Sequence, residues 1–348
     1  MRTPRRVLVV RQDRLGDLLL TTPVATVLKK AVPECHITYM IRPHLHEIVE
    51  YNPNIDAVWH TAYSPPVSEW LHWIRKIRRE RLDAIILGKP DSGAHTWIAA
   101  LARIPVRVGS THKYYARFLT HNLPFDFHNP PIHEVELVTT MAQHITSVPL
   151  QLERLYLPVL PLHEQQAEKL LQVSGINPVE PFFCVHPGTG GSSHSWYPER
   201  YGQVARKLSE ATGWKAVVTG GNNEKALAEV VCHQAGEVAV NFAGQTSVPV
   251  LGAVLRRAKL LVSGDTGAVH VAASVGTPCV VVHPVSDYRI REKRWHPWMV
   301  PYRIVPATAM CPGCTPQKCA MGGESCKRSI TADAVVEAAL SLAHELGL

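Results

Sequence analysis

The chain has 348 residues, of which 46% are hydrophobic and 19% charged, and its formal net charge is +7. This length exceeds what one hydrophobic core usually supports, so two domains are expected. No apolar run approaches the roughly 18 residues that a membrane-spanning helix needs, and residues 1–10 lack the features of a signal peptide. We therefore predict a cytoplasmic protein with an acidic partner. Nucleic acid is not expected, because no motif of that class is present.

The first half of the chain alternates short apolar runs with amphipathic segments. Apolar runs predict strands, and segments with a period of about 3.6 residues predict helices. The predicted strands cover residues 6–11, 36–41, 56–60, 82–87 and 106–109, and the predicted helices cover residues 17–30, 43–51, 67–79, 93–102 and 133–146. This alternation indicates a parallel sheet with helices on both faces.

A proline-containing stretch at residues 148–162 is predicted to be an interdomain linker, after which the pattern restarts. The second set of predicted strands covers residues 182–186, 215–219, 258–262 and 279–283, and the helices cover residues 164–173, 200–212, 224–235, 248–257, 268–274 and 331–346. The predicted class is α/β, with two doubly wound Rossmann-like domains facing across a cleft. We place the domains at residues 1–155 and 156–330, and expect a C-terminal helix at 331–348 to pack back towards the first.

The densest basic run lies on and just after the predicted helix at residues 67–79. The apolar face of that helix contains two tryptophans and two isoleucines, and the basic residues lie beside it. The residues are Trp70, Trp73, Ile74 and Ile77 on the apolar face and Arg75, Lys76, Arg78, Arg79 and Arg81 in the basic run. Two interpretations stay open, a solvated helix face and a face held against an anionic membrane.

The eight cysteines fall into two groups. Four occur singly in apolar surroundings, as packing residues do, and four cluster late in the chain. The first four are Cys35, Cys184, Cys232 and Cys279, and the cluster is Cys311, Cys314, Cys319 and Cys326. Because the last two spacings in the cluster are irregular for a zinc ribbon, a metal site, a loop-stapling or redox-labile role, and free thiols all remain open.

The loop after the first predicted strand reads Arg11-x-Asp13-Arg14-x-Gly16-Asp17. Gly16 permits a sharp turn, and Asp17 lies where the next helix is predicted to begin. Its carboxylate either caps that helix or acts as a general base. The loop lacks the glycines of a dinucleotide-binding fingerprint and the Gly-Lys-Ser/Thr of a P-loop.

Two loops of the second half contain residue types that suit a nucleotide. Residues 186–194 contain three glycines and three hydroxyl residues, which suit close approach of the backbone to phosphate oxygens. A flexible surface loop is the alternative. Glu224, after Gly220-Gly221, can accept hydrogen bonds from ribose hydroxyls, whereas the intervening asparagines are equally well explained as helix caps.

The stretch at residues 263–283 reads as the end of a strand, a turn at Gly264-Asp265-Thr266-Gly267, a short helix and another strand. This layout aims backbone N–H groups and the positive end of a helix at an anion. Thr266 can add a hydroxyl and His270 an imidazole. An ordinary tight turn is the alternative.

These motifs, taken together and in this order, resemble the heptosyltransferase family of inverting glycosyltransferases, which have the GT-B fold and build the lipopolysaccharide inner core. The resemblance covers nearly the whole chain. The motifs are Arg11-x-Asp13-x-x-Gly16-Asp17, His186-Pro-Gly-x-Gly-Gly, Gly220-Gly with Glu224, and Asp265-Thr-Gly-x-x-His270.

The resemblance implies an enzyme that transfers a heptose from ADP-heptose to a lipopolysaccharide core or related glycolipid, with Asp17 as the catalytic base. The residues expected to bind the nucleotide sugar are Thr189, Gly190, His194, Glu224, Asp265, Thr266, Gly267 and His270. No metal or other cofactor is expected, because fixed N–H donors and a helix dipole can stabilise the departing diphosphate.

The acceptor is expected near Arg14, Gly16 and Lys89, in a half whose loops at residues 42–46, 89–95 and 112–117 are rich in basic and histidine residues. The family often carries a Lys-Arg pair where this chain has His194 and Ser195, and a histidine is cationic only when protonated. The acceptor and the donor sugar therefore stay open.

Two alternatives to heptosyl transfer remain. One is transfer of another activated sugar to a different surface glycan, and the other is a non-catalytic sugar-nucleotide-binding module. The presence of Asp17 argues against the binding module, because binding alone needs no base. The expected partners are a nucleotide-sugar donor, an acidic glycolipid and the cytoplasmic face of the inner membrane, where the protein would be peripheral.

Overall fold

The fold consists of two α/β units, one in each half of the chain. The computed structural model describes residues 4–125, 132–146, 148–191, 194–284, 288–309 and 324–348, and for residues 288–291 it describes the backbone. The units comprise Met1–Pro158 and Val159–Leu348. The predicted boundary at residue 155 is close to the observed one.

The first unit is built around six strands. They are β1 (Arg6–Val10), β2 (His36–Ile41), β3 (Ala57–His60), β4 (Ala84–Leu87), β5 (Val106–Gly109) and β6 (His121–Asn122). The helices are α1 (Leu15–Leu19), α2 (Pro23–Ala31), α3 (Val67–Glu80), α4 (Gly93–Leu101) and α5 (Glu134–Thr146). Short 3-10 helices cover Pro43–Ile48 and Tyr114–Phe118.

The strands of the first unit form a parallel sheet in the order β3-β2-β1-β4-β5-β6. The direction of the strand order reverses between β1 and β4, as in a Rossmann-type sheet. Val7 to Val10 are fully buried. A parallel sheet covered on both faces has strands of this kind, which explains their uninterrupted apolar sequences.

The second unit repeats this plan. Its strands are β7 (Phe182–His186), β8 (Lys215–Val218), β9 (Ala239–Asn241), β10 (Leu261–Gly264), β11 (Cys279–His283) and β12 (Tyr302–Pro306). Its helices are α6 (Pro161–Val173), α7 (Pro198–Thr212), α8 (Lys225–Ala235), α9 (Val248–Arg257), α10 (Gly267–Val275), α11 (Tyr288–Trp295), α12 (Glu324–Ser329) and α13 (Ala332–Glu345), with 3-10 helices at Asn222–Glu224 and Gly236–Val238.

The second sheet has the parallel order β12-β11-β10-β7-β8-β9, with its reversal between β7 and β10. This is the topology of the first sheet read from the opposite edge. The predicted α/β class, with two doubly wound Rossmann-like units, is confirmed.

The C-terminal helix differs from its predicted placement. Val335, Ala339 and Leu342 of α13 are fully buried in the core of the second unit, where the helix packs on α7 and β12. Because these apolar side chains complete that core, α13 belongs to the second unit, which extends beyond the predicted limit at residue 330.

Two predicted helices also differ in the first unit. The segment predicted as one helix at residues 17–30 forms α1 and α2, since Pro23 has no backbone N–H and starts a helix more readily than it continues one. The predicted helix at 43–51 is the 3-10 helix Pro43–Ile48. The short strands β6, β9 and β12 and the helices α11 and α12 were not predicted.

The apolar face of α3 points into the first unit. Trp73 and Ile77 are buried in its core, and Trp70 and Ile74 are partly buried against it. The neighbouring Arg75 is exposed. The tryptophan side chains of this helix therefore pack in or against the core of the first unit, and the basic side chains reach solvent. In the described part of the chain, no helix is both long and apolar enough to cross a membrane.

The isolated cysteines are packing residues, as predicted for them. Cys35, Cys184 and Cys279 are buried and Cys232 is partly buried. Burial raises the pKa of the Cys35 and Cys232 thiols to about 11, so both stay protonated. In the late cluster, Cys311, Cys314 and Cys319 lie outside the described residues, and Cys326 is buried in α12.

Candidate active site

The first candidate site lies where the strand order of the first sheet reverses. Arg11 follows β1 directly and is almost completely buried. Its Nη1 donates a hydrogen bond of 2.8 Å to the carbonyl oxygen of Gly88, which follows β4. A Cβ atom at Gly88 would lie 3.3 Å from Cδ of Arg11, so the glycine leaves room for the arginine. Such reversal points are where Rossmann-type sheets place their ligands.

The Arg11 guanidinium holds three carboxylates. Its Nε lies 2.7 Å from Oδ1 of Asp13, Nη2 lies 3.0 Å from Oδ1 of Asp17, and Nη1 lies 2.7 Å from Oε1 of Glu134. Burial by itself lowers the pKa of Arg11, but the carboxylates outweigh it and raise that pKa. Arg11 is therefore a permanent cation that fixes the positions of three acids.

Asp17 is the acid in this cluster that is most open to solvent. Its side chain is 21% exposed, compared with 16% for Asp13 and 0% for Glu134. Asp17 lies in the first turn of α1, whose N-cap position is Arg14. The carboxylate thus combines a fixed position with access from outside, which a general base needs.

Glu134 was not found by sequence reasoning. It is the first residue of α5 and lies 123 positions from Arg11 in the chain. An acidic residue at the start of a helix is common because it interacts favourably with the helix dipole. Only its complete burial against Arg11 shows a second role, and no local signal indicates that.

The residues expected near the acceptor lie around this cluster. Arg14 is exposed at the N-cap of α1, and Gly16 is buried within that helix. Lys89 is adjacent to Gly88, and its Nζ lies 4.6 Å from the centre of the Tyr63 ring and 3.2 Å from the Pro90 carbonyl oxygen. Their role towards an acceptor stays a prediction.

His95, at the end of the histidine-containing loop at residues 89–95, is buried. It is 4% exposed, and its Nδ1 lies 3.2 Å from Nε2 of the buried Gln12. Burial lowers the pKa of His95 to about 4, with Lys89 adding to the effect. The imidazole is therefore neutral near pH 7, and it supports Gln12 next to Arg11 instead of offering a charge.

The second candidate site lies at the corresponding reversal point of the second sheet. Ser263 on β10 donates a 3.2 Å hydrogen bond through Oγ to the carbonyl oxygen of His186 on β7. A Cβ atom at Gly264 would lie 3.8 Å from Cγ2 of both Thr189 and Thr266. The two strand ends thus bring two hydroxyl-bearing residues together above a glycine.

Helix α10 begins at this point. Thr266 is its N-cap, and the Thr266 hydroxyl oxygen accepts a 3.1 Å hydrogen bond from the Ala268 N–H. Gly267 is the first residue of the helix, and Asp265 is partly exposed just before it. His270 is buried one turn along. A nine-residue helix with its N-terminus here favours an anion.

We call residues 187–191, which follow β7, the glycine loop. Thr189 is buried, and its Oγ1 lies 3.1 Å from Oγ of Ser195. Gly190 has a φ of 53°, a left-handed conformation that favours glycine, and it is exposed. His194 is partly buried, and Trp196, two residues further along the chain, is buried.

Glu224 contacts the backbone of two loops, and its contact with ribose hydroxyls stays a prediction. Its Oε1 accepts a 3.2 Å hydrogen bond from the Gly190 N–H, and its Oε2 accepts a 2.8 Å hydrogen bond from the Gly221 N–H. The carboxylate predicted to bind ribose hydroxyls is thus engaged with backbone of two loops.

A metal centre is not apparent in the part of the chain that the structure describes. No group of three or more histidine, cysteine, aspartate or glutamate side chains there is arranged to hold an ion. The chemistry available at the two candidate sites is a fixed carboxylate in the first and N–H and hydroxyl donors in the second.

The sequence matches a known protein family over most of its length. A family model described as glycosyltransferase family 9 (heptosyltransferase) matches residues 70–324. Lipopolysaccharide heptosyltransferase 3 of Escherichia coli is 24% identical over 300 residues, which cover 81% of this chain and 83% of that protein.

Solved structures with the same fold were found as well. A glycosyl transferase of family 9 from Veillonella parvula has a TM-score of 0.80 at 22% identity, covering 98% of this chain and 97% of that one. The E. coli ADP-heptose lps heptosyltransferase II has a TM-score of 0.76 at 18% identity, covering 99% and 100%. At these identities the likeness shows a shared fold.

Proposed function

Because the chain belongs to glycosyltransferase family 9, the heptosyltransferases, we propose that it transfers a heptose from ADP-heptose to a lipopolysaccharide core or related glycolipid. The family membership makes the protein a glycosyltransferase. The choice of donor is supported by the relatives, among them one named as an ADP-heptose enzyme and one as a lipopolysaccharide heptosyltransferase.

The observation that carries the proposed mechanism is the Arg11 cluster. Asp17 accepts the proton of an acceptor hydroxyl, and the resulting oxygen attacks the anomeric carbon of the donor opposite the departing ADP, which inverts that centre. The cluster contains three carboxylates and one guanidinium. Arg11 keeps the accepting carboxylate in place.

The second candidate site is suited to the leaving group. Negative charge grows on the diphosphate as the glycosidic bond breaks. In our proposal the Thr189 and Thr266 hydroxyls and the N-terminus of α10, which begins at Gly267, face that charge. Donors fixed before the reaction stabilise a transition state without reorganisation. The mechanism therefore needs no metal ion, and Asp265, His194 and His270 are assigned to the surroundings of the nucleotide sugar.

The acceptor is proposed to be an acidic glycolipid at the inner face of the cytoplasmic membrane. The net charge of +7 and the basic Arg14 and Lys89 around the Arg11 cluster favour an anion there. The exposed arginines of α3, such as Arg75 and Arg79, can add attraction to an anionic surface.

The test is to incubate the protein with a panel of nucleotide sugars and truncated lipopolysaccharides and to detect products by mass spectrometry. ADP-heptose is expected to add one heptose to an acceptor. Product from a UDP-, GDP- or dTDP-sugar alone would show another transferase. No product with any pair would favour a binding module.

A further inference from the structure

The Glu224 carboxylate joins the glycine loop to the turn that follows β8. One oxygen accepts from Gly190 in the glycine loop and the other accepts from Gly221 in that turn, at 3.2 and 2.8 Å. The Glu224 side chain is 11% exposed. A buried carboxylate bound by backbone N–H groups from two segments holds those segments at a fixed separation.

The surroundings of Glu224 are shaped to this carboxylate. A Cβ atom at Gly188 would overlap the Glu224 carboxylate, so any side chain there would displace it. At Gly220 a Cβ atom would lie 3.2 Å from Cβ of Glu224. Glycines on both sides thus allow the loop and the turn to close around one acidic side chain.

His186 is the buried side chain next to the Glu224 carboxylate. Its Nδ1 lies 3.0 Å from Oγ1 of Thr219, and its Nε2 lies 3.7 Å from Oε2 of Glu224. Burial lowers the pKa of His186, and the nearby Glu224 opposes that shift only in part. The imidazole is therefore neutral near pH 7, which leaves the backbone N–H groups as the principal partners of the carboxylate.

We propose that Glu224 is a positioning residue, which holds the glycine loop in the conformation that presents Thr189 to the donor diphosphate. It acts through Gly190 and Gly221 and does not need to contact the ribose. This proposal rests on the proposed function for the identity of the ligand, but the link between Glu224 and the loop is a property of the protein without ligand.

The first test needs no ligand. Glu224→Gln replaces one acceptor oxygen by an amide that cannot accept from a backbone N–H. Amide hydrogen exchange at Gly190 and Gly221 should become about tenfold faster or more, since a hydrogen bond to a charged group is lost at one or both positions. Glu229→Gln, at an exposed position of α8, is the charge-matched control and should leave both rates unchanged.

A second test separates positioning from ribose contact. The dissociation constants of ADP and of its dideoxyribose analogue are measured by calorimetry for the parent and for Glu224→Gln. With Glu224 as a positioning residue, the variant binds ADP about tenfold more weakly, and loss of the ribose hydroxyls has the same additional effect in both proteins. If Glu224 bound the ribose, removal of the ribose hydroxyls would cause no further loss of affinity in Glu224→Gln, and the variant would bind ADP and the analogue equally well.

Turnover supplies a readout that a purely structural role would not change selectively. At saturating donor, kcat of Glu224→Gln should fall about tenfold while KM for the acceptor stays the same, because in our proposal the loop acts on the donor diphosphate. Unchanged exchange at Gly190 and Gly221 in a folded variant would overturn the proposal. A parent that binds no ADP would contradict the proposed donor, and the exchange rates would still decide the role of Glu224.

Discussion

Arg11 is the residue on which the position of the candidate base depends. It is almost completely buried, and it contacts two acids from the same loop and first helix, Asp13 and Asp17, and the distant Glu134. Removal of one partner of a buried ion pair is costly, since the remaining charge loses its compensation. Substitutions in this cluster therefore affect geometry as well as chemistry, and a test of Asp17 needs a control from the same cluster.

Asp17→Asn is expected to lower kcat by about 100- to 10,000-fold, because an amide cannot accept the proton of the acceptor hydroxyl. The asparagine oxygen can still accept from Arg11, so the fold should be kept. Turnover is measured with ADP-heptose and a truncated lipopolysaccharide under saturating conditions.

Asp13→Asn is the matched control, because it changes another carboxylate on the same guanidinium. We expect a loss of about tenfold or less, in line with a change in electrostatics and not in proton transfer. Equal losses in the two variants would contradict a special role for Asp17.

The buried His95 makes stability depend on pH in a defined window. Its pKa is about 4 in the folded protein, compared with the ordinary histidine value of 6.5. As pH falls, His95 is protonated in the unfolded chain before it is protonated in the folded protein. The stability that the neutral, buried His95 contributes is therefore fully present above pH 6.5 and decreases as pH falls towards 4. Between about pH 7 and pH 5 this residue should lower the free energy of unfolding by about 2 kcal/mol.

His95→Gln should remove that part of the pH dependence. Urea unfolding followed by circular dichroism at several pH values gives the slope for the parent and the variant. His72→Gln, which replaces an exposed histidine of α3, controls for the loss of a histidine as such. A parent-like slope in His95→Gln would show that His95 is not buried in its neutral form.

At the scale of elements, the α7–α8 contact depends on one glycine. A Cβ atom at Gly202 would lie 2.5 Å from Cβ of Gln234 and 2.7 Å from the carbonyl oxygen of Val231. Helix propensity alone would favour alanine over glycine by about 1 kcal/mol. The close approach of the two helices outweighs this preference for alanine, so Gly202→Ala should lower the free energy of unfolding by about 1–3 kcal/mol.

Chemical unfolding monitored by circular dichroism tests this expectation. Glu210→Ala, at an exposed position of α7, should change stability by about 0.5 kcal/mol or less. A stabilised Gly202→Ala variant would mean that α7 and α8 can move apart without loss of stability, which would contradict the close packing of the two helices.

At the scale of the molecule, the same strand order occurs twice, and each copy carries one candidate site at its reversal point. The proposed function divides the chemistry accordingly, with the base in the first unit and the leaving-group site in the second. ADP without acceptor should therefore protect backbone amides most strongly at residues 187–191, 220–224 and 264–270. Hydrogen exchange with mass spectrometry measures this, and at about 100 times its dissociation constant ADP should add about 2.7 kcal/mol of stability.

CDP and inorganic phosphate serve as controls for that experiment. Protection by phosphate alone would indicate a site for any anion, whereas protection confined to the first unit would contradict the assignment of the donor to the second. Equal protection by CDP and ADP would leave the diphosphate site in place but remove the evidence for an adenine-containing donor.

Much of the architecture was determined by the sequence. The apolar runs of the strands and the helix end at Gly276 depend on local patterns, since a buried parallel strand is continuously apolar and glycine marks a helix end. These local signals gave the α/β class, the two units and the loops that contain Asp17, Thr189 and Thr266.

The contacts between distant residues were decided only by the tertiary structure. Glu134 lies beside Arg11, His95 is neutral, Glu224 binds two loops, and α13 completes the second unit. None of these follows from spacing along the chain, because burial and charge pairing depend on which elements pack together. The sequence therefore determined where a site could form, and packing determined what each acidic or basic group in it does.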